Sequence, residues 1–334
     1  MPEPLNVPAA WRGEELLRRD DWLRSLAPQH LEEIDAALES VKGLALEEIS
    51  PATFPLPTLS PTLQSIQHSL EQGSGAVMLR GLPIERYTEK QATRIFWGLA
   101  SHVGTAVSQS PAGERVFQVR DEGYADNDSQ ARGPSSRKRL SFHTDRCDVI
   151  SFLCVRQAET GGENYLVSSV AIYNEMLRQR PDLVEVLMRP YRYQRHNVDT
   201  GNEQPFYEQP IFAIHEGHFA ANLLRVLIER AYAAPDAPAM SDVQREALDY
   251  LEQLADDPAM HVSFRQQPGD LVFLNNWVTL HRRSEFEDYV EPERKRLLLR
   301  IWLSVPNSRP LDPRFAASYG ATAAGALRGG MRPV

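Results

Sequence analysis

The chain has 334 residues, enough for one large domain or two ordinary ones, and its 42% apolar and 24% charged content is that of a soluble globular protein. A net charge of −9 with no basic run argues against a nucleic-acid surface, and no stretch approaches the roughly 20 apolar residues of a membrane span. Met1-Pro2-Glu3-Pro4 lacks the charged and apolar zones of a secretory leader, and two cysteines, Cys147 and Cys154, make no disulfide framework, so a reducing cytoplasm fits.

Residues 1–75 read as an N-terminal helical extension. Pro28 suits a first helical turn, Leu31, Ile34, Leu38 and Val41 recur at helical spacing, and Gly43 can end the segment. A second helix has Ser60 as its cap, Pro61 at its first position, Leu63, Ile66 and Leu70 on one face and Gly73 as its stop. Gly75 to Pro83 then reads as a buried strand running into a turn, and Thr88 with Gln91 forms a capping box for a helix through Ala100. A strand at Val116–Arg120 precedes a polar run, Asp121 to Lys138, that reads as a long loop of the kind used as a lid.

Beyond residue 145 the pattern is mainly extended. Strands are expected at Val149–Val155, Tyr165–Val167, Tyr191–His196 and Phe212–Asn222, the last folded at Glu216-Gly217, with a helix capped by Ser168 or Ser169 and another from Asp242 to Ala255. His261–Arg265 and Asp270–Asn275, joined through Pro268-Gly269, read as a hairpin leading to His281, and a last strand covers Arg296–Val305. The glycine-rich tail, 306–334, reads as loosely ordered. Short strands with Gly/Pro turns and helices gathered early suggest a two-sheet barrel decorated with helices, in one domain.

The chemistry concentrates in Leu140-Ser141-Phe142-His143-Thr144-Asp145. Residues two apart on a strand point to one face, so His143 and Asp145 can converge, and His281 from another strand would complete a two-histidine, one-carboxylate face. In the last strand Arg296, Leu298, Arg300 and Trp302 share a face; two arginines in an apolar strand are costly unless they meet anions, which suit the guanidinium fork. They lie roughly 13 Å apart at about 3.3 Å per residue, a spacing for two anions rather than one. Gln118, Arg120 and Arg139 are candidate substrate contacts, and Trp277 and Asn276 candidate lining residues. His215-Glu216-Gly217-His218 has the wrong histidine spacing for a hydrolytic zinc helix.

Taken together, His143-x-Asp145, Gly161-Gly162-Glu163, His281, Arg296 and Arg300, with Leu79-Arg80-Gly81-Leu82 upstream, resemble the TauD/TfdA family of Fe(II)- and 2-oxoglutarate-dependent dioxygenases over residues 75–305. The resemblance implies an α+β, mainly β fold, a double-stranded β-helix (jelly-roll) core at 76–305 with flanking helices. It implies Fe(II) on His143, Asp145 and His281, 2-oxoglutarate chelating that iron with its far carboxylate on Arg296, and substrate at Arg300. Asn164 stands where the family often has a threonine that assists the co-substrate. The carboxylate of Asp145 argues against halogenation, since halogenating relatives lack that ligand.

The expected reaction is hydroxylation of a C–H bond in a small carboxylate-bearing metabolite such as an amino acid, with O2 consumed and 2-oxoglutarate converted to succinate and CO2. Desaturation or cyclisation would share the same oxidant. The competing readings are a barrel that binds a small anion without turnover, with a structural or zinc-loaded His/Asp set, and a zinc hydrolase that leaves the paired arginines unexplained. Homo-oligomerisation is left open by the sequence.

Overall fold

Alternating apolar residues sort the extended runs into two facing sheets, in a computed structural model that describes residues 2–124, 133–195, 204–235 and 237–332. The frame comprises β1 (Leu23–Ser25), β2 (Ala76–Arg80), β3 (Thr105–Val107), β4 (Val116–Val119), β5 (Val149–Arg156), β6 (Asn164–Ser168), β7 (His261–Phe264), β8 (Leu271–Asn275), β9 (Thr279–Arg283) and β10 (Leu297–Ser304). The larger sheet runs β1–β2–β8–β5–β10, and the other side of β10 pairs with β4 and β3. The smaller sheet is β7–β6–β9, antiparallel throughout.

Three apolar layers follow from this alternation. Between the sheets lie Ala76, Met78, Ile150 and Val272 from the larger sheet and Leu166 and Val262 from the smaller, with Trp11 and Trp22 of the N-terminal segment. The opposite face of the larger sheet, with Leu79, Leu153, Phe273, Leu299 and Ile301, is covered by α1 (Pro28–Ser40), α2 (Ser60–Gln72) and α3 (Glu89–Ser101). Val167 and Leu280, on the outside of the smaller sheet, pack beneath α4 (Ser169–Gln179), α5 (Pro181–Leu187), α6 (Arg225–Tyr232) and α7 (Asp242–Asp256). At roughly 1.5–3 kcal/mol for each fully buried large apolar side chain, both helical layers are integral to the core. The result is an α+β fold whose double-stranded β-helix core is clad in helices on both sides. No helix among the described residues is long and apolar enough to cross a membrane.

Local signals mostly act as expected. Thr88 and Gln91 cap α3 reciprocally, and Ser168 accepts a hydrogen bond from the Ala171 amide at the start of α4. Glu216 and Gly217 carry the positive φ angles of a tight turn, joining Phe212–His215 to His218–Ala221.

Three readings need correction. β1 pairs in parallel with β2, so the N-terminal region contributes a strand as well as helices. His261–Phe264 and Leu271–Asn275 are not a hairpin: they belong to different sheets, and the turn between them carries the chain across. Gly269 lies in that turn with φ 89°, and a Cβ there would collide with the Leu82 carbonyl. Residues 306–332 are held by buried ion pairs, Glu71–Arg309 and Asp148–Arg328, instead of being loosely ordered. Within the loop expected at 121–138, residues 125–132 lie outside the described residues, as does His196 at the end of the strand expected at 191–196.

Candidate metal centre

The chain from Leu140 to His143 runs antiparallel along β9 and so brings the His-x-Asp motif to His281. The Leu140 amide donates to the Arg283 carbonyl at 3.0 Å, and His143 and His281 exchange backbone hydrogen bonds at 3.0 and 3.1 Å. Their rings become a cross-strand pair with centroids 4.4 Å apart. The motif therefore lies on a β-bridge followed by a turn, not on a continuous strand: the Cys147 amide turns back to the Asp145 carbonyl at 3.0 Å. Asn276 fixes the start of that turn by accepting from the Asp145 amide at 3.1 Å.

Asp145 Oδ2 lies 3.2 Å from His281 Nε2 and 3.9 Å from His143 Nε2, and one ligand atom from each residue falls within 4.8 Å of the others. His143 Nδ1 sits 2.8 Å from the Ser141 carbonyl, which assigns the proton to Nδ1 and leaves the Nε2 lone pair facing the carboxylate. Burial, with the His281 imidazole beside it, pushes His143 down to about 4 against the pull of Asp145, so the ring is neutral near pH 7. Burial also opposes ionisation of Asp145, yet Arg300 and the two histidines together hold its carboxyl well below the usual carboxylate range. A buried carboxylate oxygen with no hydrogen-bond partner among the described residues, together with the imidazole nitrogens it faces, is a donor set for a cation. The residues fit iron.

Arg300 and Arg296 behave differently. Arg300 Nε donates to Gln109 Oε1 at 2.7 Å, and Nη1 lies 3.4 Å from Asp145 Oδ1. Gln109 Nε2 donates in turn to the Arg300 carbonyl at 2.9 Å, so one buried amide holds both ends of the arginine. Arg296 is 2% exposed; its Nε and Nη1 find no hydrogen-bond partner among the described residues, and burial pushes it down to about 10. A Cβ on Gly162 would lie 3.3 Å from Arg296 Nε, so the glycine there leaves the guanidinium room. A buried guanidinium with open donors fits the far carboxylate of 2-oxoglutarate.

A cavity of about 1120 Å³ opens onto His143 and Asp145, walled by Gln109, Phe117, Arg300, Trp302 and Tyr319. Arg139 lines its rim but spends its guanidinium on Asp256, at 3.0 Å to both oxygens. Gln118 is not in the wall: it pairs with Leu299, so its side chain shares the face turned from the site, while Phe117 pairs with Arg300 and faces it. Asn164 begins β6, where its amide reaches Gln266 Oε1 at 3.4 Å. Trp277 is fully buried and donates to Asp148, a packing and anchoring role. Gln109, Phe117 and Tyr319 were not singled out from the sequence. Phe117 was within reach of the alternation argument that selected its neighbour; Gln109 lies in an irregular segment and Tyr319 ends the one-turn helix Ala316–Tyr319, with no pattern to mark either.

A family model described as "Taurine catabolism dioxygenase TauD, TfdA family" matches residues 40–302. FR-33289 synthase of Streptomyces rubellomurinus is 29% identical over 314 residues, covering 92% of this chain and 93% of that protein. A taurine hydroxylase-like protein of Stachybotrys chartarum is 30% identical over 312 residues, 89% of this chain and 79% of its own. Among solved structures, an asparagine oxygenase in complex with Fe(II), hydroxyasparagine and succinate superposes with a TM-score of 0.65 at 18% identity, over 85% of this chain and 93% of that one. The non-heme iron oxygenase OrfP in complex with iron and alpha-ketoglutaric acid gives 0.61 at 16%, over 84% and 94%.

Proposed function

The chain belongs to the TauD/TfdA family and is a 2-oxoglutarate-dependent dioxygenase using Fe(II), and from that premise we propose that it hydroxylates a C–H bond of a small carboxylate-bearing metabolite, an amino acid or close relative, at the centre formed by His143, Asp145 and His281. The observation that carries this is the convergence of those three side chains within 4.8 Å, with the carboxylate ionised and His143 neutral. When bound, iron and 2-oxoglutarate supply the oxidising power, O2 being consumed as the keto acid becomes succinate and CO2.

The protein's residues orient and exclude. His143 and His281 would hold the iron through nitrogen donors and Asp145 through an oxygen donor, a set of three that would leave the metal room for co-substrate and O2. Arg296 takes the far carboxylate of 2-oxoglutarate, and Asn164, two residues after the Gly162 that leaves that guanidinium room, offers a further polar group. Arg300, held by Gln109, presents its positive charge to the cavity and receives the substrate's anionic group. Phe117 and Trp302 flank that guanidinium, with ring centroids 5.3 and 5.0 Å from its carbon, and keep water from it. The Trp302 indole N–H is buried without a partner among the described residues and is placed to donate to a bound substrate. A hydrolase reading gives Arg296 nothing to hold. The same proposal takes the chain as one domain acting in the cytoplasm.

The test is a screen of amino acids and small carboxylates with Fe(II), 2-oxoglutarate and O2, following succinate and a product heavier by one oxygen by mass. Substrate-stimulated succinate release is expected for a narrow set of carboxylates. Stimulation only by substrates lacking an anionic group would remove the role given to Arg300.

A further inference from the structure

The segment after β10 grips the turn that carries Asp145, residue by residue. The Tyr319 hydroxyl donates to the Asp145 carbonyl at 3.3 Å and accepts from Asn222 Nδ2 at 2.6 Å. Arg146 Nε donates to the Ser318 carbonyl at 2.6 Å, and the Gly330 amide returns to the Arg146 carbonyl at 2.7 Å. Arg328 Nε meets Asp148 Oδ1 at 2.6 Å, both side chains being within 1% of complete burial. Three of the four residues from 145 to 148 are thus tied to the stretch 318–330, outside the region that the family model matches. Ser318, Tyr319 and Met331 also line the cavity over the metal centre.

We propose that this C-terminal segment is a positioning device for the metal-binding carboxylate, with the Tyr319 hydroxyl as its working contact; the proposal rests on the metal reading above. Asp145 has one backbone group on each side to fix: Asn276 holds its amide and Tyr319 its carbonyl. With both held, the peptide planes flanking the Cα are set and the side chain has only χ1 and χ2 left to search. Asn222, which also takes a hydrogen bond from Gln209 and lines the cavity, ties the same hydroxyl to the cavity wall. Tyr319 is a positioning residue, since it acts on the centre through the Asp145 backbone.

The experiment is titration of the full-length, metal-free protein with Co(II) by calorimetry, for wild type, Tyr319→Phe, Arg146→Met and Asp145→Ala, with thermal melting of each. Tyr319→Phe keeps the ring in its packing and is expected to weaken Co(II) binding about three- to tenfold, from the loss of about one hydrogen bond's worth of positioning, with melting little changed. Arg146→Met, which releases the Ser318 carbonyl, should weaken it in the same direction and keeps the test open if the tyrosine variant misfolds. Asp145→Ala should abolish tight binding. Wild-type affinity in both Tyr319→Phe and Arg146→Met, with binding lost in Asp145→Ala, would overturn the positioning role while leaving the metal site standing. Unchanged affinity in Asp145→Ala would instead remove the metal reading itself.

Discussion

Arg300 Nη1 stands 3.4 Å from Asp145 Oδ1, so the arginine assigned to the substrate already touches the carboxylate assigned to the metal. The contact couples two roles that strand spacing alone kept apart. A charge-assisted hydrogen bond of this kind contributes about 1.5–3 kcal/mol. Arg300→Leu is expected to raise the substrate KM by at least tenfold and to lower kcat as well, because Asp145 loses the cation that favours its ionised form. Gln109→Leu should reproduce the KM effect more weakly, since the guanidinium remains but loses its clamp. Steady-state kinetics with substrate and 2-oxoglutarate varied separately would check this. An effect of either substitution confined to the 2-oxoglutarate KM would be inconsistent with these placements.

Arg296 gives a prediction of opposite sign in stability and function. A fully buried guanidinium whose Nε and Nη1 have no hydrogen-bond partner among the described residues costs folding free energy, which a bound carboxylate would return. Arg296→Met should therefore leave the melting temperature of the ligand-free protein unchanged or higher. It should also erase the stabilisation that 2-oxoglutarate confers on wild type, and raise the 2-oxoglutarate KM by about 10- to 100-fold on the strength of a lost charged hydrogen-bonded pair. Thermal melting with and without 2-oxoglutarate reads both signs in one experiment. A variant that melts lower when ligand-free, yet still responds to 2-oxoglutarate, would move the co-substrate elsewhere.

Asp145→Ala removes the only carboxylate of the triad. The remaining pair of imidazoles has lost the negative charge that anchors a divalent ion, so Fe(II)-dependent succinate formation should fall below detection. Equilibrium dialysis should show metal affinity reduced by at least 100-fold. The variant should fold, because the backbone contacts that place residue 145 come from Asn276 and Tyr319 and do not involve its side chain.

The parts of this molecule that were legible in its sequence are those governed by short periods. Alternation in Arg296–Leu303 separated Arg300 and Trp302 from Leu299 and Ile301, and the structure places the first pair on the cavity and the second in the helix-covered layer. The Thr88/Gln91 box and the Glu216-Gly217 turn are equally local. What escaped was set by partners distant in sequence. Whether His261–Phe264 and Leu271–Asn275 form a hairpin depends on β6 and β5, which claim them for different sheets. The order of residues 306–332 depends on Asp148 and Glu71, and nothing in a glycine-rich tail announces buried ion pairs. Gln118 was a matter of phase: one residue along the strand, Phe117 holds the position facing Arg300.

The Asp148–Arg328 pair gives the sharpest energetic test of the tail's hold on the sheet. Asp148 also accepts from the Trp277 indole at 2.9 Å and from the Val305 amide at 3.1 Å, so its charge is surrounded by donors as well as paired. Arg328→Met leaves that charge buried and uncompensated and releases the last turn of the tail, which should cost about 3–5 kcal/mol in urea denaturation. Asp148→Asn in the same chain removes the stranded charge while an amide oxygen can still accept from Trp277. The double substitution should therefore recover part of the loss, a coupling that independent sites would not show. Additive losses would mean that Arg328 stabilises the tail through its bonds to the Arg309 and Ala323 carbonyls, at 2.8 and 3.3 Å, and not through its charge.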